Sequence, residues 1–457
     1  YGAIARYIVE QGWEDTDFIS SFTASSGEVA AESHWRRKMF GASFVDFQSY
    51  LLAEDAFRLA DAEAITGVTA ADIQAAAVMI SGGGVGQRPK TTFLFEKGLY
   101  WTHLYENTAA IANLAVLLGS AGRPGRAISR LGGHQRGGQS AGGYPLDQSP
   151  DEFLGNKIEM DTDRYFVAGN TRLMWAIGTN WIGASACSSA IEAALKTLVQ
   201  ETGPQVSSAA SAIAELKARV DAGGTVFIHQ EIYANKTTQY ADLVLPAAAW
   251  GEKDFARANA ERRLRLYQKF MDPPGQARDD WEIVAEVAQK MGYSGFDWAN
   301  VSELFEEAAG YSQGSRRDFS ELALRAQADG LSGHELLRSY GTEGIQTPIR
   351  DNAGTLIGTP RLHADIRFKT NSGKANFVLA DWATVAARNA VVAPTGNEVW
   401  VTNMRVNHLW NNMSDFTRRP YALQRWPANI LQVNPDDAAA QSIKNGDLLK
   451  IESANIV

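Results

Sequence analysis

The sequence is poor in the residues that build disulfides and metal sites. One cysteine, Cys187, occurs in 457 residues, so the chain holds neither an internal disulfide nor an iron–sulfur cluster bound through cysteines. Seven histidines are scattered, and none belongs to an H-x-x-x-H pair, so we predict no metal site made of protein ligands. No uninterrupted apolar run approaches the length of a membrane span, so we predict no transmembrane helix.

The chain also lacks a basic excess and the common nucleotide motifs. Its formal net charge of −9 at pH 7 argues against a nucleic-acid surface, because phosphate backbones need clustered cations. Neither a Walker loop nor a G-x-S-x-G elbow occurs, and SGGGVGQRPK departs from the dinucleotide fingerprint because it lacks the preceding strand and the following helix. With 45% apolar residues, the composition predicts a globular protein of two or three units whose partners are small molecules or proteins.

The two ends of the sequence indicate a fragment of a longer protein. It begins at Tyr1 without an initiator methionine or a signal-peptide pattern, and it ends at LLKIESANIV, just after a strand-like alternation. We therefore expect further chain on both sides, and the cellular location does not follow from the sequence itself.

Apolar spacing predicts helices that alternate with strands through most of the chain. Helical periodicity is present in AIARYIVEQGW, TAADIQAAAVMI, ENTAAIANLAVLLG, SAIEAALKTLVQE and SAIAELKARVDAGG, whereas TTFLFEKG, RLMWAIGTN, TVFIHQE and YADLVLPAA are short apolar strand patterns. This alternation predicts an α/β fold with doubly wound parallel sheets, which bind ligands in loops at the carboxyl ends of their strands. The loops after Gly178 and His229 are therefore candidate ligand loops.

Three later stretches have a different character. Residues 300–350 predict polar, peripheral helices. The segment ERRLRLYQKFMDPPG mixes cations with apolar side chains and predicts a partly solvated strand or helix. From about residue 396, EVWVTN, NILQVNP and LLKIES predict strands joined by turns, so we expect a β-rich closing domain.

The loop RLGGHQRGGQSAGGYP, residues 130–145, combines six glycines with one histidine and two arginines. Glycine admits backbone angles that are closed to other residues, so such a loop is able to curl around a ligand. Arg130 offers a fixed fork of donors and His134 a donor or acceptor near neutral pH, a pair suited to binding an oxyacid. A solvated surface loop and a phosphate site made of backbone amides are the alternatives.

Several motifs follow one another in an order that is more specific than any one of them. RLGGHQRGG, ADLVLPAAAWGEKD, ERRLRLYQKFMDPPG, SGKANF, NHLW and RWPANILQVNPDDAAAQSIKNGDLLKIE span much of the chain. In this order the chain resembles the large subunits of arsenite oxidases, which belong to the molybdopterin oxidoreductases related to dimethyl sulfoxide reductase. The resemblance implies that residues 1–150 end one α/β cofactor-binding domain, residues 151–390 form a second, and residues 391–457 begin a C-terminal β-barrel.

The resemblance also implies residues for the substrate and cofactor sites. Arg130 and His134 match the arginine and histidine that line the oxyacid pocket of that family. The positions that match cofactor contacts are Asn180, Lys236, Thr237, Asp242, Ser372, Gly373, Lys374, Asn403, Arg405, Asn407, His408 and Trp410. The first four lie in loops that would bind a guanine dinucleotide, and the others would lie beside a pterin.

The implied cofactor is molybdenum held by two molybdopterin guanine dinucleotides, and a [3Fe-4S] cluster is implied in the region that precedes this chain. The implied partners are a Rieske-type small subunit, a soluble electron carrier such as cytochrome c or azurin, and a small oxyacid substrate. The resemblance implies a periplasmic location. It implies neither a nucleic-acid partner nor a membrane span.

The implied reaction is the oxidation of arsenite to arsenate by oxygen-atom transfer. Here the loop reads GGHQRGG where arsenite oxidases commonly read GGHQEGY, so Arg136 occupies a position where an acid is common. Arsenite is an uncharged trihydroxide near neutral pH, whereas an extra cation suits an anion, so iodate reduction is the alternative. A catalytically inert scaffold of the same fold is a further hypothesis, and a nicotinamide-dependent dehydrogenase would need the glycine fingerprint that is missing.

Overall fold

Mixed α/β structure runs through the chain in the computed structural model, which describes residues 1–84, 86, 88–100, 105–131, 162–185, 187–200, 207–259, 261–315, 317–388, 398–402, 406, 408–410 and 412–452. The α-helices of these residues are α1 (Gly2–Glu10), α2 (Thr16–Phe22), α3 (Ser26–Ala30), α4 (Trp35–Phe40), α5 (Phe44–Ala53), α6 (Leu59–Thr66), α7 (Ala70–Ser81), α8 (Lys97–Tyr100), α9 (Tyr105–Leu117), α10 (Thr162–Val167), α11 (Trp181–Ala184), α12 (Ser188–Leu195), α13 (Ala209–Asp221), α14 (Asp280–Lys290), α15 (Val301–Ser312), α16 (Ser320–Ala328), α17 (Gly333–Ser339), α18 (Trp382–Arg388), α19 (Pro420–Arg425) and α20 (Pro435–Ala440). The strands are β1 (Gly41–Ala42), β2 (Thr92–Phe95), β3 (Ala127–Arg130), β4 (Leu173–Ile177), β5 (Val226–Glu231), β6 (Leu243–Pro246), β7 (Phe255–Ala258), β8 (Arg263–Tyr267), β9 (Ile345–Gln346), β10 (Arg350–Asn352), β11 (Thr355–Ile357) and β12 (Phe377–Val378). The 3-10 turns are Asp55–Phe57, Thr237–Tyr240 and Phe416–Arg418, and a π turn covers Lys196–Gln200.

Local sequence sets the ends of the helices, as α7 illustrates. The Thr69 side chain accepts a hydrogen bond from the backbone N–H of Asp72 at 3.1 Å and so caps the first turn. The helix ends at Gly82, whose φ of +81° lies in the left-handed region that favours glycine. Ile73 and Ala77 lie on its buried face. The helix predicted from TAADIQAAAVMI, with Thr69 at its start, is therefore confirmed.

The first unit, residues 1–131, packs helices against a pair of parallel strands. β2 and β3 run in the same direction, with Phe93 opposite Ile128 and Phe95 opposite Arg130. Helices α1, α5, α7 and α9 line the core with apolar side chains, and the spacing of apolar residues predicted all of these helices except α5. The core side chains are Ile8, Phe47, Leu51, Ala77, Leu114, Leu117 and, from β12, Phe377.

A segment from far along the chain completes this core. β12 pairs antiparallel with β1, and the fully buried Phe377 ring stacks on Phe47 with centroids 4.7 Å apart. The Asn113 amide donates to the Val378 carbonyl at 2.7 Å and accepts from the Val378 N–H at 3.0 Å. Residues 377 and 378 are thus part of the first unit, while the predicted division at residues 150 and 390 stays a prediction.

The second unit, residues 162–246, is built on a parallel sheet. The strands lie in the order β4–β5–β6, and all three were predicted from RLMWAIGTN, TVFIHQE and YADLVLPAA. Their carboxyl ends, at Ile177, Glu231 and Pro246, meet at one side of the sheet, called the carboxyl edge below. The core side chains include Phe166, Ile182, Ile191, Leu195, Val199 and Phe227. The predicted α/β fold with parallel sheets is confirmed.

The third unit, residues 255–357, combines an antiparallel sheet and the hairpin β10–β11 with the four helices α14 to α17. The strands lie in the order β7–β8–β9, and β8 is the strand that ERRLRLY forms. Along β8, Leu264 is buried and the other four residues are half-buried. The helices predicted within residues 300–350 are confirmed as α15, α16 and α17, and their buried faces form a core instead of a purely polar periphery. That core contains Leu264, Phe305, Leu322, Leu337, Ile345 and Ile349.

The region after residue 397 differs from its sequence prediction. Its described residues, 398–402, 406, 408–410 and 412–452, contain α19 and α20 but no strand. The strands predicted from EVWVTN, NILQVNP and LLKIES are therefore wrong for these residues. An isolated strand leaves its backbone N–H and C=O groups unpaired, and no neighbouring strand in the described part pairs with these segments. The start of a β-barrel stays a prediction.

The described helices are short. None of them alone has the length and apolar composition needed to cross a membrane. Helices α6 and α7 meet these two criteria only when they are taken together, and a bend of 111° separates them. Within the same described ranges, no group of three His, Cys, Asp or Glu side chains is arranged to hold a metal ion. Cys187 is half-buried before α12, with its Sγ 3.6 Å from Asp163 Oδ2.

Candidate functional site

Two loops meet at the carboxyl edge of the second unit. One follows β4 and carries Asn180, and the other follows β5 and carries Thr237. Thr237 Oγ1 donates to Asn180 Oδ1 at 3.0 Å and accepts from the backbone N–H of Ile182 at 3.0 Å. Gly178 leaves β4 with a φ of +63°, a conformation that glycine adopts without strain. The structure therefore brings together Asn180 and Thr237, two residues that the sequence predicted for the cofactor site.

His229 lies beneath both loops and is completely buried. Its Nε2 is 3.0 Å from the Thr179 carbonyl, and its Nδ1 is 2.9 Å from Thr238 Oγ1. Because a carbonyl only accepts, Nε2 carries the proton and Nδ1 accepts from the threonine hydroxyl. Thr238 Oγ1 in turn accepts from the backbone N–H of Asn235 at 2.9 Å. One neutral imidazole thus joins the two loops, and burial lowers its pKa below the usual value of 6.5.

Acidification is expected to destabilise the second unit through His229. The unfolded chain binds a proton at the ordinary histidine pKa of about 6.5, whereas the folded state binds it only at lower pH. The unfolded state therefore holds more protons in this window, so stability is complete above about pH 6.5 and falls as the pH drops towards the folded pKa. Replacing His229 with glutamine should make the thermal midpoint less dependent on pH across this range.

The third unit supplies the control for this experiment. His334 is also buried, and burial also lowers its pKa. His334→Gln should remove a separate part of the acid sensitivity, and the double variant should be flatter than either single one. If His229→Gln retains the full slope of the parent protein, His229 is not a source of acid sensitivity.

Lys236 places a cation beside Thr237 in the same loop. Its Nζ lies 2.6 Å from Glu192 Oε2, and Tyr240 donates to Glu192 Oε1 at 2.8 Å. These hydrogen bonds, first the one from Lys236 and then the one from Tyr240, lower the pKa of Glu192 to about 2. The lysine side chain remains half exposed. Lys236 is therefore held by a carboxylate and half exposed in the loop that also carries Thr237, the partner of Asn180.

Asp242 lies at the opposite side of the same sheet. Its carboxylate accepts two hydrogen bonds from Arg219, at 2.9 and 2.7 Å, and one from the backbone N–H of Phe227 at 2.9 Å. Phe227 is near the amino end of β5, and Asp242 immediately precedes β6. The structure thus separates Asp242 from Asn180 and Thr237.

The segment 408–418 approaches the carboxyl edge from the end of the chain. Trp410 meets the Tyr233 ring edge-on with centroids 6.5 Å apart, and the Arg418 guanidinium lies 4.3 Å from the centroid of the same ring. Ser414 Oγ donates to Glu231 Oε2 at 3.2 Å. Trp410, predicted for the pterin side, is therefore brought to the edge that carries Asn180.

Several of these contacts were missed by sequence reasoning. Tyr233, Ser414 and Arg418 belong to no motif, and the only local signal for Glu231 is its place at the end of a predicted strand. His408 lies with its ring centroid 6.1 Å from that of Tyr421. The predicted residues Asn403, Arg405 and Asn407 lie outside the described residues.

The turn formed by Ser372, Gly373 and Lys374 lies against the first unit. Gly373 has a φ of +72°, and Ser372 Oγ accepts from the backbone N–H of Lys374 at 3.2 Å. Lys374 Nζ lies 3.0 Å from Glu28 Oε1. The backbone N–H of Ser25 and then Lys374 lower the pKa of Glu28 to about 2. The turn therefore has a defined shape, and its lysine already has a counter-charge.

A cleft of about 470 Å³ opens beside this turn. Thr370, Arg37 and Asn376 contribute polar groups to its lining. The Arg37 guanidinium also lies 3.3 Å from Glu32 Oε1. The cleft therefore combines space with a cation and neutral donors.

Arg130 ends β3 at the carboxyl side of the parallel strands of the first unit. Its Nε lies 3.7 Å from Oε1 of Glu96, the residue that follows β2. Parallel pairing places these two strand ends side by side. His134 and Arg136 lie outside the described residues, so the predicted pairing of Arg130 with His134 stays a prediction.

Comparisons with known proteins agree with this α/β architecture. The molybdopterin oxidoreductase family model matches residues 3–290. The iodate reductase subunits IdrA of Denitromonas iodatirespirans and of Pseudomonas sp. (strain SCT) are each 41% identical over 490 residues, covering 98% of this chain and 54% or 55% of theirs. The arsenite oxidase subunit AioA of Herminiimonas arsenicoxydans is 28% identical over 479 residues, covering 99% of this chain and 53% of its own. The chain thus spans about half the length of these curated relatives.

Proposed function

Because this chain belongs to the molybdopterin oxidoreductase family, we propose that it is part of the large subunit of an enzyme that reduces iodate by oxygen-atom transfer. The observation that carries this proposal is the 41% identity to two iodate reductase subunits over 98% of the chain. The identity to the arsenite oxidase subunit is 28% over a similar span. Of the two reactions that the sequence suggested, the comparisons favour the alternative, iodate reduction, over arsenite oxidation.

The groups at the two sites suit a pterin guanine dinucleotide. A diphosphate needs cations and N–H donors, and fused rings need a cleft. The carboxyl edge of the second unit supplies Lys236 and the Asn180 amide, and the first unit supplies the cleft that contains Arg37. When bound, a molybdenum cofactor of this kind exchanges an oxygen atom and an electron pair with the substrate.

The residues of the chain would bind and orient the oxyanion. Each oxygen atom that iodate loses takes up two electrons and two protons and leaves as water. Arg130 would direct its guanidinium donors at the iodate oxygens, with Glu96 beside it to hold the side chain in place. His134 would hydrogen-bond the substrate and pass a proton to the departing oxygen.

Substrate charge favours iodate over arsenite for this loop. Iodate is a monoanion, whereas arsenite is uncharged near neutral pH, so a second arginine at position 136 strengthens binding of the first more than of the second. Arsenite oxidation remains the second candidate because AioA matches 99% of the chain. An inert scaffold is the third, and the metal content of the protein separates it from both enzymes.

The proposal includes the partners and location that the resemblance implied. The IdrA and AioA relatives are named as subunits, which agrees with a multisubunit enzyme. Electrons would reach the site through a [3Fe-4S] cluster outside this chain, from a Rieske-type small subunit and a soluble carrier in the periplasm. Two guanine dinucleotides would hold the molybdenum.

Charge reversal at Arg136 is expected to separate the two substrates. In the full-length protein, purified with its partner, Arg136→Glu should raise the KM for iodate by about tenfold or more and leave molybdenum content unchanged, because a charge-assisted hydrogen bond is lost. Steady-state kinetics with iodate as acceptor, and separately with arsenite as donor, measure this effect.

Lys217→Glu is the matched control for this substitution. It changes the charge by the same amount at an exposed position on α13, and it should leave the KM for iodate as it is. Turnover of arsenite alone by the parent protein would overturn the iodate assignment. A purified protein without molybdenum would support the inert scaffold.

A further inference from the structure

The side-chain amide of Asn180 has one possible orientation in this structure. Its Oδ1 accepts from Thr237 Oγ1 at 3.0 Å and from the backbone N–H of Gly183 at 3.4 Å. Thr237 Oγ1 already accepts from the N–H of Ile182, so its own proton is free to point at Asn180. The opposite orientation would turn the Asn180 NH₂ group towards the N–H of Gly183, two donors facing each other. Asn180 Oδ1 therefore accepts hydrogen bonds from groups of the protein itself, and the NH₂ group is the part of the amide that remains for a ligand.

Gly183 makes room for the other end of this amide. A Cβ at position 183 would lie 2.4 Å from Asn180 Nδ2, closer than two such atoms approach. Gly183 does not have a positive φ. Glycine is therefore needed at this position because a side chain would not fit, and not because of the backbone conformation. The sequence N-x-x-G thus permits the orientation that Thr237 selects.

The Asn180 NH₂ group has no protein acceptor in the described part of the chain, although the residue is only 5% exposed. Its Nδ2 still touches solvent, so a ligand oxygen that replaces water there would accept a hydrogen bond from this NH₂ group. Lys236 adds a positive charge in the adjoining loop. The edge therefore offers the Asn180 NH₂ donor to an acceptor oxygen of a ligand, with the half-exposed Lys236, paired with Glu192, beside it.

We infer that Thr237 is a positioning residue that turns the Asn180 NH₂ group towards an acceptor oxygen of the bound guanine dinucleotide. Thr237 is itself 0% exposed, so it acts through Asn180 and not by touching the ligand. The sequence treated both residues as direct contacts, and the geometry assigns them different roles. The inference rests on the proposed function only in the identity of the ligand.

Binding of GDP to the full-length protein, prepared without the molybdenum cofactor, tests this assignment. Asn180→Ala should weaken GDP binding by about tenfold, and Thr237→Val should weaken it as much because the amide is no longer oriented. Thr237→Ser keeps the hydroxyl and should bind GDP like the parent. Gly183→Ala leaves the threonine intact but displaces Nδ2, so it should match Thr237→Val.

The double variant Asn180→Ala/Thr237→Val separates positioning from a general structural effect. If Thr237 acts only through Asn180, the double variant binds GDP as Asn180→Ala does, whereas a separate structural effect would add a further loss. Pyrophosphate and guanosine, used as separate probes, identify whether the acceptor oxygen belongs to the diphosphate or to the base. The probe that binds more weakly to Asn180→Ala than to the parent protein is the one that carries the acceptor oxygen.

The two proposals fail in different ways. A parent protein that binds GDP while Thr237→Val binds it equally well would overturn the positioning role and leave the proposed function intact. A parent protein that does not bind GDP, and that also fails to retain the molybdenum cofactor when it is produced in the presence of that cofactor, would overturn the proposed function itself.

Discussion

Replacing Asp242 with asparagine is expected to speed amide hydrogen exchange in β5 and β6 by roughly 10²- to 4 × 10³-fold. The Asp242 carboxylate accepts two hydrogen bonds from Arg219, and the two side chains are only 6% and 2% exposed. The neutral variant removes the Asp242 charge from a buried guanidinium, which costs about 3–5 kcal/mol. Because each 1.4 kcal/mol is about a factor of ten, the open state of these strands becomes more populated by the stated factor.

Mass spectrometry of peptides that cover residues 225–246 in the full-length protein measures this exchange. Asp329→Asn is the control, because the Arg325–Asp329 pair is one-third exposed on both sides and such pairs contribute about 0–1 kcal/mol. Its effect on local exchange should not exceed a few-fold. Unchanged exchange in Asp242→Asn, together with loss of bound nucleotide, would instead support the direct cofactor contact that the sequence predicted.

The loop between β5 and β6 explains why sequence reasoning placed Asp242 together with Lys236 and Thr237, although the structure has it at the other edge of the sheet. Parallel strands require the chain to return from the carboxyl edge to the amino edge between them. Lys236 and Thr237 lie early in that return and stay at the carboxyl edge, whereas Asp242 lies at its end and reaches the other edge. Short apolar runs sufficed to predict both strands. The sequence of the loop between them has no periodic pattern that predicts where the chain crosses from one edge of the sheet to the other.

The contacts around Tyr233 illustrate a second limit of sequence reasoning. Trp410 and Arg418 reach its ring from a distant part of the chain, and neither belongs to a periodic pattern that predicts a partner. The alternation of apolar and polar residues in NILQVNP and LLKIES predicted strands. Such alternation indicates which face of a strand is buried, but it does not identify the strand with which it pairs. Local patterns therefore predicted elements that pack within one unit better than contacts between distant segments.

Truncating Phe377 to alanine is expected to open the first unit, although this residue lies far along the chain from its contacts. The ring is fully buried, stacks on Phe47 at 4.7 Å and lies 5.7 Å from Phe44. Removing a buried phenylalanine ring costs about 3–5 kcal/mol, from lost burial and from the cavity left behind. Exchange in peptides from α5, α9 and residues 371–378 should therefore rise together by roughly 10²- to 4 × 10³-fold.

Leu379→Ala is the matched control on the same segment, because Leu379 is 38% exposed and its truncation removes less buried apolar surface than truncation of the fully buried Phe377. In Leu379→Ala, exchange in the same peptides should remain within a few-fold of that in the parent protein. In Phe377→Ala, exchange in β4, which belongs to the second unit, should also remain within a few-fold of the parent. Rapid exchange confined to residues 371–378 would mean that the segment docks on an already complete core. Joint opening would instead make the turn at Ser372, Gly373 and Lys374 depend on Phe377 for its position, so Phe377→Ala should also retain less cofactor.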